Sequence, residues 1–154
     1  MKKFYFIFIC ILSLVFSSCL KSNLEEGEYS TECDITNIKF EHRWAETMDT
    51  PGMYELNFKE MSVSKNIDNE NCVVEVEINV PASDANYPEE EREATSLSKI
   101  ACSLELSRAA SVKPLGNAPV LGTLGDYTVE HTYRVVSASG EYKDWIIRVV
   151  SFNK

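Results

Sequence analysis

From Cys33 onward, apolar residues recur mostly at every second position. A period of two is the mark of strands with one covered face. The clearest run is Cys72 to Val80: Cys72, Val74, Val76, Ile78 and Val80 take one side, and Glu75, Glu77 and Asn79 take the other. Pro81 cannot donate to a ladder, so the strand ends there. Ile100, Cys102, Leu104 and Leu106 alternate with Ala101, Ser103, Glu105 and Ser107 in a second strand. Ile38 and Phe40 mark a first, shorter one. Tyr54, Leu56 and Phe58 share one parity and Met61 and Val63 the other, so the slip at Lys59-Glu60 predicts a bulge or bend. Near the end, Tyr133 and Val135 alternate up to Ser139-Gly140, and Trp145, Ile147 and Val149 alternate after it. This is a hairpin in which Gly140 supplies the positive φ. Val136, Ile146 and Val150 lie on the opposite face, which is therefore expected to be partly covered. Only Pro88 to Ile100 reads as helical, one or two turns, with Glu89, Glu90, Glu91 and Glu93 suiting a helix N-terminus.

Five or more strands with little helix predict an all-β fold, a single antiparallel β-sandwich. The 154 residues suit one domain, which buries roughly two-thirds of its unfolded surface and needs no metal or disulfide framework. With 15 Lys+Arg against 24 Asp+Glu, the net charge is -9. That acid excess excludes nucleic acid as a partner, since phosphates demand clustered Lys and Arg.

The chain opens with Lys2 and Lys3, then runs uncharged from Phe4 to Ser18. A helix of that length spans about 22 Å, short of the ~30 Å hydrocarbon core. Residues 1–18 therefore read as a secretory signal peptide. Phe16, third from the end, fits an ordinary signal peptidase poorly. Val15-Phe16-Ser17-Ser18-Cys19 instead resembles the lipobox of bacterial lipoproteins, with Phe16 where Leu or Val is usual. That resemblance implies a diacylglycerol on the Cys19 sulfur, cleavage before it and acylation of the freed amine. Cys10 is no substitute, because bulky Ile9 precedes it. Two or three acyl chains hold a protein stably where one holds it marginally, so the membrane is a partner through the N-terminal lipid. The mature surface loses Lys2 and Lys3 but none of the acids, so anionic lipids repel it. Residues 19–32 read as a flexible acidic tether. Within it, Glu25-Glu26-Gly27-Glu28 either resembles the acidic export signals of Bacteroides-type surface lipoproteins or is a solvated linker. Residues 33–154 form the domain.

The order of segments carries a second resemblance. Ile35-Thr36-Asn37-Ile38-Lys39-Phe40 opens the domain and Val73 to Pro81 follows. Tyr127-Thr128-Val129 and Tyr133-Arg134-Val135 then lead through Ser139-Gly140 to Trp145-Ile146-Ile147-Arg148-Val149. This resembles the immunoglobulin-like domain of unknown function in Bacteroides-type envelope lipoproteins. Gly140, Lys143 and Trp145 fit the family's closing turn, Ser139 replaces its usual acid, and His42 to Asn66 is longer than the family needs. The resemblance implies an Ig-like sandwich in the outer membrane, facing the periplasm or the cell surface, with a weak link to glycans.

No nucleophile elbow, P-loop, zinc-protease or C-x-x-C motif is present. No catalytic residue, metal ligand or cofactor is assigned. His42 lies in the long insertion, and His131 at a strand start reads as a surface or edge residue. Asp68-Asn69-Glu70-Asn71 offers oxygens but reads as a polar turn. Of Cys33, Cys72 and Cys102, at most one pair can bond. Buried thiols are favoured over a Cys72–Cys102 bond. Trp145 reads as core. Trp44, beside Arg43 in the insertion, either caps the sandwich core or, with Tyr87, stacks on a sugar face. The leading expectation is a non-catalytic, lipid-anchored Ig-like module contacting a glycan or another envelope ligand through Trp44, Arg43 and Tyr87. The alternative is an assembly lipoprotein that pairs with another envelope protein. It would use a sheet edge or the Val136/Ile146/Val150 face.

Overall fold

Among the described residues nine strands make up two facing sheets. The computed structural model describes residues 28–154. The expected signal peptide, Cys19 and residues 19–27 of the expected tether lie outside the described residues. The first sheet has the order β2-β1-β5-β7, from β1 (Ile35–Thr47), β2 (Tyr54–Glu60), β5 (Ile100–Leu106) and the two-residue β7 (Leu124–Gly125). The second has the order β3-β4-β9-β8-β6, from β3 (Ser62–Asp68), β4 (Val73–Asn79), β6 (Ser111–Pro114), β8 (His131–Val136) and β9 (Tyr142–Asn153). Among the described residues one short α-helix, α1 (Glu89–Ala94), carries Glu89, Glu90 and Glu91 in its first turn. A 3-10 turn, Leu97–Lys99, leads from it into β5.

The alternating runs form the core. Val74, Val76 and Ile78 on β4, Tyr133 and Val135 on β8, and Trp145 and Ile147 on β9 are fully buried. Each aliphatic side chain among them contributes about 1.5–3 kcal/mol by leaving water. The β8–β9 hairpin turns at Gly140, whose φ is +92°. Asp68 Oδ1 accepts from the Glu70 and Asn71 amides, so the polar turn before β4 is capped by its own first residue.

Four expectations are corrected. The sandwich is not wholly antiparallel, because β4 runs parallel to β9, from Val73 beside Ile146 to Asn79 beside Asn153. The first strand is not short: β1 has 13 residues and absorbs His42 to Thr47, which the sequence reading placed in an insertion. The parity slip near Glu60 is a change of sheet rather than a bulge, with β2 in one sheet, β3 in the other, and buried Met61 between them. His131 is no surface residue. It is 4% exposed, and its Nε2 donates to the Asp126 carbonyl at 2.6 Å.

Candidate functional site

Residues of one parity on β1 point between the sheets: Ile38, Phe40, His42 and Trp44 are all buried. Their cross-strand partners on β2 are polar at the far end, with His42 beside Lys59, Trp44 beside Asn57 and Glu46 beside Glu55. Buried Tyr87 closes this end of the interior. His42 stacks on Trp44 at 5.6 Å between centroids, and Trp44 lies 5.9 Å from Tyr87. The polar tips of Trp44 and Tyr87 both have partners, as buried polar groups require. Trp44 Nε1 donates to Glu46 Oε1 at 2.9 Å. Tyr87 Oη donates to Thr95 Oγ1 at 2.6 Å, which in turn donates to the Glu91 carbonyl. The Lys59 ammonium pairs with Asp84 and holds its carboxyl below the usual carboxylate range.

The three nominated ligand contacts therefore do not form an exposed platform. Trp44 sits on a strand and Tyr87 on an isolated β-bridge, and both rings are covered. Arg43 points to the other face of the sheet, where it bonds Glu41 and donates to the Gly122 carbonyl at 2.6 Å. A cleft of about 250 Å³ reaches Trp44 from outside, lined with Glu46, Glu55, Asn57, Ala85, Asn86 and Pro88. It is polar and offers a sugar no open aromatic face. His42 Nε2 meets Glu91 Oε2 at 2.9 Å, yet His42 is buried and its Nδ1 has no partner. Of that pair only Glu91 is partly open to solvent, its side chain 27% exposed. Among the described residues no group of His, Cys, Asp and Glu is placed to hold a metal. Cys33, Cys72 and Cys102 are free thiols, with Cys102 pushed up to about 12 by burial.

The feature that the sequence reading passed over is the other face of β2. Tyr54, Leu56 and Phe58 are 66%, 70% and 64% exposed, and Met48 and Met53 at the adjoining turn are exposed as well. Glu55, Asn57 and Lys59 face the interior side. This strand is inverted, with apolar groups toward water and polar groups toward the sandwich. Its signal was in the sequence, as the shared parity of Tyr54, Leu56 and Phe58. Parity alone does not say which face is covered.

The arrangement defines a two-sheet β-sandwich domain with an exposed apolar edge. The DUF5018-related family model matches residues 35–148, and the chain belongs to that family. A solved Bacteroides fragilis NCTC 9343 structure, described as "a putative secreted protein", is 33% identical with a TM-score of 0.73, covering 80% of this chain and 98% of that one. No curated protein matches. Among the described residues no helix is long and apolar enough to cross a membrane.

Proposed function

We propose that this chain is a non-catalytic, lipid-anchored envelope protein whose Ig-like domain binds another protein through the outward face of β2. The supporting observation is the inversion of that strand. Three large apolar side chains are held in water while their polar neighbours face inward, an arrangement favoured only where a partner covers it. The order β1-β5-β7 against β6-β8-β9 supports the Ig-like assignment. It follows the A-B-E and C-F-G pattern of such sandwiches, with β2, β3 and β4 added at the sheet edges. A sheet edge, named above as one of two assembly surfaces, takes precedence over a glycan platform because Trp44 and Tyr87 are covered. The Val136/Ile146/Val150 face is second to it, since Val136 and Ile146 are half-buried.

The lipobox at Cys19 supports the anchor, and residues 30–34, where the expected tether joins the domain, are held at one pole of it. The Ser139 amide donates to the Ser30 carbonyl, Lys143 pairs with Asp34 at 2.6 Å, and Trp145 Nε1 donates to the Cys33 carbonyl. Leu56 pairs with Ala45, ten residues further along β1 from Ile35, roughly 30 Å away. The apolar edge thus lies at the opposite end of the domain from Ser30 to Asp34. A photo-cross-linking residue at position 56 in intact envelopes is expected to yield protein adducts that the same probe at Glu77, on the other sheet, does not. Adducts at neither position would overturn the proposal. Cys19→Ser is expected to release the protein from the membrane fraction.

A further inference from the structure

We infer that the occupant of the β2 edge is a second copy of this chain, paired strand to strand, antiparallel and centred on Leu56. This rests on the reading of β2 as a protein-binding edge and goes further by naming the partner.

The backbone points the right way. The Met48 amide donates to the Met53 carbonyl at 3.1 Å and the Met61 amide to the Phe40 carbonyl at 2.9 Å. Both bonds lie on the register that sets Thr47 beside Tyr54 and Glu41 beside Glu60. Bonded pairs alternate along an antiparallel ladder, so Glu55, Asn57 and Lys59 bond inward to β1. Tyr54, Leu56, Phe58 and Glu60 therefore turn N–H and C=O outward. Among the described residues no backbone bond to those groups closes the edge. The other sheet edges are blunted. β7 has two residues, β6 has four and ends in Lys113-Pro114, and β3 is mostly polar, with Lys65 at its middle. Only β2 combines length, an open ladder and apolar side chains.

The side chains then select the partner and the register. A strand beside its own copy, with the sheet faces matched, can centre on Glu55, Leu56, Asn57 or Phe58. Centring on Glu55 sets two carboxylates opposite each other. Centring on Asn57 puts Tyr54 beside Glu60, and centring on Phe58 puts Leu56 beside Glu60. Centring on Leu56 puts Leu56 beside Leu56 and Tyr54 beside Phe58 on both sides of the axis. All three apolar residues then meet apolar partners. The two-fold axis closes the interface, so the assembly stops at two copies. Tethering both copies to one membrane raises their effective concentration and favours a pairing that is weak in dilute solution.

The test places cysteines in the full-length lipoprotein in its own envelope, on a Cys72→Ser background. Opposed residues of a bonded antiparallel pair have Cα atoms about 5.5 Å apart, close enough for a short bis-maleimide to bridge two cysteines. Leu56→Cys is expected to give a covalent homodimer with that reagent. Differently tagged Tyr54→Cys and Phe58→Cys chains, co-expressed, are expected to link to each other, while Glu77→Cys stays monomeric. Leu56→Lys on the Tyr54→Cys/Phe58→Cys pair is expected to abolish the link while the folded core keeps its melting temperature. Homodimer cross-links absent at all three β2 positions would overturn the second-copy proposal. If the position-56 photoadduct is then a different protein, only the self-pairing falls; if no protein adduct forms either, the binding-edge reading falls with it.

Discussion

β1 and β2 are neighbours in one sheet, and each carries aromatic and apolar residues at every second position. On β1 those residues, from Ile38 to Trp44, are enclosed by the opposite sheet. On β2 the apolar set is turned outward and the set facing inward is polar. Alternation fixes which residues share a face. Whether that face is buried depends on what lies across from it, and no described residue covers the outer side of β2. The aromatic residue that drew attention as a ligand contact, Trp44, is core, and the exposed apolar surface lies one strand away.

Truncating the enclosed set should therefore unfold the domain, and truncating the exposed set should not. Phe40→Ala, at a fully buried site, is expected to cost about 3–5 kcal/mol in denaturant unfolding. Trp44→Ala should lose a similar amount or slightly less, since its site at the end of the core can partly relax. A loss below about 1 kcal/mol for Trp44→Ala would return it to the exposed class. Leu56→Ala is expected to change stability of the monomeric domain by no more than about 0.5 kcal/mol. A loss comparable to that of Phe40→Ala would show that β2 is part of the core, ending the contrast.

Thiol labelling sharpens the same distinction between covered and open sites. Cys33 and Cys102 are buried and their thiols are raised by that burial, whereas Cys72 is half-exposed at the turn before β4. Only Cys72 is expected to react with a maleimide in the native protein at neutral pH. The smallest effect is on pH dependence. Hydrogen bonds from Asn71, Lys59, Thr128 and Arg134 hold Asp68, Asp84, Asp126 and Asp144 respectively below their ordinary value. A carboxyl lowered in the folded state stabilises it above the unfolded pKa, near ~3.9, and loses that contribution as pH falls through the folded value. The melting temperature should be flat from neutrality to about pH 5 and fall below about pH 4.

Much of the sandwich was legible because its central strands have covered faces. Val74, Val76 and Ile78 alternate without interruption, and so do Trp145 and Ile147 after Gly140. Two things were hidden. His42, a polar residue inside an apolar series, broke the count, so the second half of β1 was read as a loop although Ile38, Phe40, His42 and Trp44 keep strict alternation. The parallel pairing of β4 with β9 joins residues more than seventy positions apart, and no local pattern encodes it. At the candidate site, the residues nominated for stacking were chosen by type and position in a supposed loop. Their burial follows from the opposite sheet and Tyr87, which local sequence does not specify.

Backbone hydrogen exchange of β2 in the mature lipoprotein, kept in its own membrane, tests the binding edge most directly. The amides of Tyr54, Leu56 and Phe58 point away from β1, so they exchange fast unless another strand holds them. The expected result is protection of these three amides that disappears in Leu56→Lys while those of Val74, Val76 and Ile78 stay protected. Equally fast exchange at Tyr54, Leu56 and Phe58 in wild type and variant would contradict the account.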